Sequence, residues 1–228
     1  MVVSPETWSA LRHRPGNLPS RGSSCKVPTL RMAGSSRLRI IAGEFRGREI
    51  EGPGRLDLRP TADRVRESLF DILARHIQGM RILDLCAGTG AFGLESLSRG
   101  ARAATFLDAD PQVIKLIERN IESLGVGERS TVVRGELPYA LGKLKGPFDL
   151  VFFDPPYKSD IVTKVLPRLA SKTLLVPNAL VIVERDRRSH PIKVSHYAID
   201  RRHRIGDAEL WFLRRLPPGM RTRGSGDE

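Results

Sequence analysis

The sequence has few cysteines and no long hydrophobic run. Cys25 and Cys86, the two cysteines among 228 residues, are far apart and match no spacing of metal ligands. Neither a disulfide framework nor a metal site is therefore expected, and a reducing cytoplasm is the predicted location. No stretch of about 18 uninterrupted apolar residues occurs, so no membrane span is expected.

Acidic residues are also in the minority, with 26 Asp and Glu against 38 Lys and Arg, and the formal net charge is +12. Such an excess favours polyanionic partners, nucleic acid first, because guanidinium groups pair with phosphate in a bidentate geometry. The alternative is a basic surface that only keeps the protein soluble. The arginines concentrate at positions 46–48, 64–66, 185–188 and 201–204.

Composition divides the chain into three parts. Residues 1–36 are rich in Ser, Pro, Gly and Arg and show no apolar periodicity, so a disordered basic leader is expected. This leader lacks the apolar core of a secretory signal. It is interpreted either as an organellar transit peptide or, preferably, as an extension that precedes a true start at Met32. Residues 37–216 are predicted to form one domain that begins with a small β-hairpin at 37–58, and 217–228 a disordered tail.

Strand and helix patterns alternate regularly from Arg81 onward. Before this point, the stretch 59–64 is predicted to open a helix with Thr61 as its N-cap. The pattern then predicts helices at 91–99, Pro111–Leu124 and 159–170, a closing antiparallel pair at 192–199 and 209–214, and strands at Arg81–Leu85, 103–107, Ser130–Arg134, Phe148–Phe153 and 179–184. Repeated βα units predict an α/β fold with a mostly parallel sheet and helices on both faces.

The first candidate site is the segment Asp84-Leu85-Cys86-Ala87-Gly88-Thr89-Gly90, between a predicted strand and a predicted helix. Ligands of such sheets bind beyond the carboxyl ends of the strands, and glycines let the backbone approach them closely. Gly88, Gly90 and Gly93 also satisfy the dinucleotide spacing G-x-G-x-x-G, so the pattern alone is ambiguous. Asp84 favours a different ligand, because a carboxylate repels a pyrophosphate and suits a cationic amino acid moiety.

Further carboxylates follow the next two predicted strands. Asp108 ends the second strand, 18 residues after Gly90, where a carboxylate accepts both hydroxyls of a ribose. Asp110 is the alternative for this contact, although it is predicted to cap the next helix. Glu136 follows the third strand and is a candidate for contacting an adenine edge, with an exposed loop acid as the equal alternative.

The second candidate site is Asp154-Pro155-Pro156-Tyr157, directly after the apolar run 150–153. A carboxylate at such a place is costly to bury without a purpose or a partner. Two prolines fix the backbone and remove two donors, so nearby carbonyls stay available to a substrate. Asp154 and the Pro155 carbonyl are predicted to hold an amino group on a conjugated ring, which Tyr157 stacks on, and to orient its nitrogen toward a methyl donor.

Taken together, these segments resemble class I methyltransferases that modify amino nitrogens. The stretch Arg-Pro-Thr-Ala-Asp-Arg-Val-Arg-Glu at 59–67, the loop 84–90 with its continuation to Glu95, and the segment 154–157 occur in that order. This set is similar to the RsmD family, bacterial methyltransferases that act on guanine N2 of 16S ribosomal RNA. The resemblance covers about residues 37–216 and implies a Rossmann-like, seven-stranded sheet whose last strand is antiparallel.

The resemblance also implies S-adenosylmethionine as the cofactor and roles for individual residues. The expected cofactor contacts are Asp84, Ala87, Gly88, Gly90, Asp108 and Glu136, although related enzymes often have Asp at the last position. The stretch 59–66 is expected to lie over the site, and we add either Thr61 or Asp63 from it as a cofactor contact. The catalytic residues around the target amino group are expected to be Asp154, Pro155 and Tyr157. The arginine clusters, rather than the resemblance, give the expected contacts with RNA, namely Arg46, Arg64, Arg66, Arg187 and Arg202.

The predicted reaction is direct displacement, in which the sulfonium methyl passes to a guanine N2 in line with the leaving sulfur. The base must be unstacked or flipped to reach the site. The expected partner is 16S ribosomal RNA within a small ribosomal subunit or an assembly intermediate, and no metal is expected to take part. The alternatives are an adenine-N6 methyltransferase acting on DNA or RNA, a protein-glutamine methyltransferase, and a non-catalytic RNA-binding assembly factor.

Overall fold

The computed structural model describes residues 37–52, 60–74, 76–156, 160–171, 173–189, 192 and 194–217. The leader predicted at 1–36 and residues 218–228 of the predicted tail lie outside the described residues. So does Tyr157, the last residue of the second candidate site.

Two short strands precede the main sheet. They are β1 (Arg37–Arg39) and β2 (Glu49–Glu51), which pair antiparallel with Leu38 opposite Ile50. Both apolar side chains are buried in the cluster that also contains the first helices of the domain. The hairpin predicted from the sequence is confirmed, and its buried side fixes it to the rest of the protein.

Seven strands form the central sheet, namely β3 (Arg81–Leu85), β4 (Ala103–Asp108), β5 (Ser130–Arg134), β6 (Phe148–Phe153), β7 (Leu175–Asp186), β8 (Tyr197–Ile205) and β9 (Ala208–Arg215). Their order across the sheet is β5-β4-β3-β6-β7-β9-β8. The pairs from β5 to β7 are parallel, and β9 is antiparallel to both of its neighbours. This confirms the mostly parallel sheet and its antiparallel last strand.

The largest differences from the predicted strand boundaries are in β7 and β8. β7 begins at Leu175 rather than at 179, and Asn178 within it has a positive φ of 62° where the pairing with β6 shifts register. β8 covers Tyr197–Ile205 rather than 192–199. β8 is an edge strand, and its second half, Asp-Arg-Arg-His-Arg, is charged because an edge strand can expose polar side chains to solvent. This half lacks the apolar pattern that predicts a strand.

In the described part of the chain, four helices cover the sheet, namely α1 (Pro60–Leu73), α2 (Ala91–Ser98), α3 (Pro111–Leu124) and α4 (Ile161–Ser171). The first three pack on one face of the sheet and α4 on the other, which confirms helices on both faces. Among the described residues, no helix is long and apolar enough to cross a membrane.

The ends of two helices test the predicted caps. Asp110 caps α3 as predicted, because its Oδ1 accepts a hydrogen bond from the Gln112 N–H at 2.7 Å. The prediction of Thr61 as an N-cap is wrong, since α1 already begins at Pro60. Proline suits the first helical position, where its fixed φ is helical and its missing donor is not needed.

Candidate active site

Three carboxylates meet at the carboxyl ends of three neighbouring strands. Leu85 of β3 pairs with the residue before Asp108 on β4 and with the residue before Asp154 on β6. Asp108 and Asp154 therefore lie on either side of Cys86, with Asp84 at the end of the middle strand. Because adjacent strands are about 4.8 Å apart, the backbones of the two outer residues are about 10 Å apart. The register thus brings both candidate sites into one place.

Asp84 is the most buried of these acids, with 2% of its surface exposed. Its Oδ2 accepts a hydrogen bond from the Gly93 N–H at 3.0 Å, which ties the strand to the first turns of α2. Burial raises the pKa of Asp84 well above its usual value against the effect of this hydrogen bond, and the charges of Asp154 and Asp108 raise it further. A cation at this place would relieve both the burial penalty and the repulsion.

Asp108 organises the loop between β3 and α2. Its Oδ2 accepts from the Gly88 N–H and its Oδ1 from the Asp110 N–H, each at 3.1 Å. Ala87 is held to the same strand, because its N–H donates to the Leu107 carbonyl at 3.1 Å. A carboxylate has about four lone-pair positions, so two hydrogen bonds leave Asp108 able to accept the hydroxyls of a ribose.

The loop glycines have different roles. Gly88 has a φ of +54°, and a Cβ added there would meet no atom within 4 Å. This open space beside the backbone is what a closely approaching ligand needs. A Cβ at Gly93 would instead lie 2.2 Å from Cε1 of Phe106. Gly93 therefore serves the packing of α2 on β4, as the third glycine of such a loop commonly does.

Asn120 holds the loop from the side of α3, and the sequence analysis missed it. Its Nδ2 donates to the Thr89 carbonyl at 3.1 Å and to the Glu51 carbonyl at 3.0 Å. Its Oδ1 accepts from the Glu51 N–H at 2.7 Å, and the residue is 1% exposed. One buried amide therefore fixes the cofactor loop relative to the N-terminal hairpin.

Glu95 on α2 is a second connection to the hairpin that the sequence analysis did not assign. The side chain is completely buried and accepts from the N–H groups of Ile41 and Ala42 at 2.7 and 3.0 Å. It also pairs with Arg99 at 2.7 Å. A buried charge with three partners at these distances is well satisfied, so Glu95 anchors the segment after β1 to the helix that follows the loop.

The segment after β6 begins with an exposed carboxylate. Asp154 and Pro156 are exposed and Pro155 is buried. Asp154 is therefore not desolvated, contrary to the expectation of a buried carboxylate, and it is accessible to a substrate. Just before it, the ring of Phe152 stacks on that of Phe92 with centroids 4.3 Å apart, which supports the strand end from the side of α2.

The thiol of Cys86 lies among these acids without the properties of a nucleophile. Burial raises its pKa to about 12, and the charges of Asp108, Asp154 and Asp84 add to the effect. Because the thiolate is the reactive form, Cys86 is unreactive near neutral pH. The site therefore does not favour a covalent cysteine intermediate, in agreement with a direct transfer.

The remaining predicted residues are more scattered. Glu136 is exposed just beyond β5, and its carbonyl accepts from the Ala140 N–H at 2.9 Å. The side chain of Thr61 lies outside the described part of the chain, so its cofactor contact stays a prediction, as does that of Glu136.

The predicted RNA-binding arginines divide into two groups. Arg187, in the turn after β7, and Arg202, on β8, are exposed near the carboxyl edge of the sheet, and Arg187 pairs with Asp207 at 3.7 Å. Arg46 and Arg64 are exposed on the hairpin turn and on α1. Arg66 is half-buried and donates to the Arg39 carbonyl at 3.0 Å, so part of its guanidinium is used inside the protein.

The comparisons with known proteins agree with this geometry. A family model described as conserved hypothetical protein 95 matches residues 38–214. The ribosomal RNA small subunit methyltransferase D of Escherichia coli strain K12 is 38% identical over 152 residues, which are 67% of this chain and 76% of the relative. The putative rRNA methyltransferase YlbH of Bacillus subtilis is 33% identical over 153 residues, 66% of this chain and 83% of the relative.

A solved structure gives the same result. The putative methyltransferase yhhF from Escherichia coli superposes with a TM-score of 0.69 at 34% identity, covering 79% of this chain and 99% of that one. The strand order, the glycine loop after β3 and the Asp-Pro-Pro segment after β6 define a class I methyltransferase fold. Within this class, the chain belongs to the RsmD family, as its sequence predicted.

Proposed function

We propose that this protein transfers a methyl group from S-adenosylmethionine to the exocyclic N2 of a guanine in 16S ribosomal RNA. The observation that carries the proposal is the convergence of Asp84, Asp108 and Asp154 around the loop 84–90 at one edge of the sheet. Membership of the RsmD family supports the choice of cofactor and of acceptor.

The residues of the loop fit this cofactor. S-adenosylmethionine supplies a methyl group on a positively charged sulfur and also carries an ammonium group and a ribose. Asp84, whose pKa is raised by burial and by the neighbouring charges of Asp154 and Asp108, suits the charged amino acid end. Asp108 would accept the ribose hydroxyls, and the open space at Gly88 would admit the ligand next to the backbone. Such contacts would leave the methyl group at the carboxyl edge of the sheet.

The segment after β6 receives the base. The carboxylate of Asp154 and the carbonyl of Pro155 each accept one N–H of the guanine amino group, which points the nitrogen lone pair at the methyl group. Alignment of this kind supplies much of the rate in a group transfer. The amino nitrogen is conjugated with the ring and poorly basic, so its proton would leave after attack has begun, and the exposed carboxylate of Asp154 would accept it.

The net charge of the protein and its membership of the RsmD family both support RNA as the methyl acceptor. The net charge of +12 favours a polyanion, and the Escherichia coli relative is by name a methyltransferase of small-subunit ribosomal RNA. We infer that the RNA is bound within a small ribosomal subunit or an assembly intermediate. The exposed arginines at positions 46, 64, 187 and 202 would contact its phosphates.

The test is transfer of tritium from labelled S-adenosylmethionine to 16S RNA, offered free and within 30S particles, followed by nucleoside mass spectrometry and mapping. N2-methylguanosine is expected. N6-methyladenosine would show an adenine-specific enzyme instead, and label in protein rather than RNA would support a glutamine methyltransferase.

A matched pair of variants tests the role of the site. Asp154→Asn is expected to lower kcat at least about a hundredfold, a typical share for positioning and proton transfer together. Asp160→Asn is the control, because Asp160 is an exposed carboxylate six residues further on that pairs with Lys164 at 2.8 Å. If Asp154→Ala loses turnover but restores full function to cells that lack the gene, the main role is not catalytic.

A further inference from the structure

A group of arginines lies on the strands beyond β6. We call Arg185, Arg187, Arg188, Arg202 and Arg204 the arginine edge. The first three are at the end of β7 and in the turn after it, and the last two are near the end of β8. Because β7 is parallel to β6 and β8 is parallel to β7, these ends lie at the same edge of the sheet as Asp154.

The arginine edge contains an aromatic support. Trp211 on β9 is 4% exposed, and the Cζ of Arg202 lies 4.3 Å from its ring centroid. The Cζ of Arg185, which is buried, lies 4.6 Å from the same centroid. Contacts this short between guanidinium and indole are attractive and orient the flat cation. Arg202 is itself exposed, so one guanidinium is held in place and still faces solvent.

Glu209 completes this support. Its Oε2 accepts from the Trp211 Nε1–H at 2.7 Å, and its Oε1 accepts from the Arg204 Nε–H at 3.1 Å. Burial would raise the pKa of Glu209, but these two hydrogen bonds and the charges of Arg204 and Arg202 hold the pKa below its usual value. The carboxylate therefore stays charged and fixes the indole on which Arg202 rests.

The distance between Arg202 and the strand that ends at Asp154 agrees with the spacing of phosphates along a nucleic acid strand. The pairing places Phe153, directly before Asp154, opposite Val183, which pairs with Trp211, which in turn pairs with Arg202. Three strand spacings of about 4.8 Å put Arg202 about 14 Å from the strand that ends at Asp154. Successive phosphates of one stacked strand rise about 3.4 Å apart, so this distance spans a few nucleotides.

We propose that Arg202, held by Trp211 and Glu209, binds a phosphate of the RNA strand a few nucleotides away from the methylated base. The proposal rests on the proposed function and adds to it the direction in which the RNA leaves the site, along the β7, β9 and β8 ends. A guanidinium with a fixed plane meets a phosphate in a bidentate geometry with little loss of side-chain entropy, which a free lysine cannot match.

Arg202→Gln tests the phosphate contact, with Arg102→Gln as the matched control. Arg102 is also exposed but precedes β4, at the opposite edge of the sheet. Loss of one phosphate contact on single-stranded RNA reduces the slope of log K against log salt by about 0.7, which corresponds to about fivefold weaker binding near 0.1 M salt. The KM for RNA should rise by this factor in Arg202→Gln, while the KM for S-adenosylmethionine stays unchanged.

Two further variants separate a bound phosphate from a general charge effect. Arg202→Lys keeps the positive charge but has no planar guanidinium to stack on Trp211. Its salt slope should therefore equal that of the wild type, while only part of the affinity lost in Arg202→Gln should be recovered. Trp211→Phe keeps all charges, and it should weaken RNA binding about twofold to fivefold through the looser support of Arg202. Thermal unfolding of each variant checks that the fold is intact.

The outcomes are distinct from those that test the proposed function. If the wild-type protein methylates 16S RNA but Arg202→Gln matches Arg102→Gln in KM and salt slope, the proposed phosphate contact does not exist. Full recovery of affinity in Arg202→Lys would likewise overturn the role of the stacked plane. If the wild-type protein methylates no RNA but still binds it with this salt slope, the proposed reaction fails and the RNA contact stands.

Discussion

Substitution of Gly93 by alanine tests whether packing or helix propensity has the larger effect on the stability of α2, the helix that follows the cofactor loop. Gly93 lies within α2, where alanine is preferred over glycine by about 1 kcal/mol, so propensity alone predicts a more stable protein. The structure predicts the opposite. The new methyl carbon would lie 2.2 Å from Cε1 and 2.7 Å from Cζ of Phe106, against an ordinary contact of about 3.5–4.0 Å.

The ring of Phe106 cannot move away easily, because it is completely buried in the middle of the sheet. Overpacking of a core costs about 1–3 kcal/mol and occasionally more, and an overlap of more than 1 Å belongs at the upper end of this range. After the gain in propensity, Gly93→Ala should lower the free energy of unfolding by about 2 kcal/mol. For a domain of this size that is about 4–8 °C in Tm.

The assay is thermal unfolding together with calorimetric titration of S-adenosylmethionine. The shift of α2 should also weaken cofactor binding, since the Gly93 N–H donates to Asp84. Gly127→Ala is the control, because no atom lies within 4 Å of a Cβ added there and its backbone needs no positive φ. That variant should be neutral or slightly more stable. A Tm of Gly93→Ala equal to or above that of the wild type would refute the steric argument.

Three other residues give further predictions. Burial gives Asp84 a higher pKa in the folded than in the unfolded protein, so the free energy of unfolding falls as the pH rises above about 4. Asp84→Asn should therefore raise the Tm at pH 7. Because it removes the carboxylate, it should also abolish cofactor binding in calorimetry. Asn120→Ala removes the donor to the Thr89 carbonyl, and it should cost about 1–3 kcal/mol in urea unfolding and raise the KM for S-adenosylmethionine. Cys86, with a pKa of about 12, should react with a thiol reagent at pH 8 about a hundredfold more slowly than free cysteine, measured in a Cys25→Ser background. Its thiolate fraction is lower by roughly two thousandfold, and the greater nucleophilicity of the more basic thiolate offsets part of this difference.

Each of these predictions has an outcome that contradicts it. An Asp84→Asn protein that is less stable at neutral pH would show that the carboxyl is not penalised by burial. Unchanged kinetics in Asn120→Ala would show that the loop holds its conformation without this amide. Rapid labelling of Cys86 would show that its thiol is more accessible, or more acidic, than the surrounding carboxylates allow.

Local patterns were sufficient to predict the parallel part of the sheet. Strands such as Arg81–Leu85 and Phe148–Phe153 are short apolar runs bounded by loops, and strands buried on both faces have this pattern. The parallel order then places their carboxyl ends together, so the proximity of Asp84, Asp108 and Asp154 could be expected before any coordinates. What the sequence could not supply was the register that puts two of these acids level with Cys86.

The supports of the site could not be predicted for a different reason. Glu95 contacts the N–H groups of residues 53 and 54 positions earlier, and Asn120 contacts Glu51 across 69 positions. Neither residue type is unusual in a helix, so no local pattern marks them. The contact of Arg202 with Trp211 depends on where β8 ends, and although the closing antiparallel pair was predicted, the predicted bounds of β8 did not reach Arg202.

The charges at the carboxyl edge of the sheet differ between its two halves, in keeping with the two ligands of the proposed reaction. Acids lie at or next to the ends of β3, β4 and β6, where a cationic methyl donor is expected. The ends of β7 and β8 carry both arginines and acids, and Arg187 and Arg188 pair with Asp207, but Arg202 is exposed on Trp211, where an anionic strand is expected. Asp154 lies at the boundary between the two regions. An RNA strand attracted to the arginines is repelled by the acids, so an uncharged base can enter the acidic side while its phosphates stay on the basic side. Reversal of one charge at Arg202 should therefore impair RNA binding, and loss of one acid at Asp84 cofactor binding, each without the other.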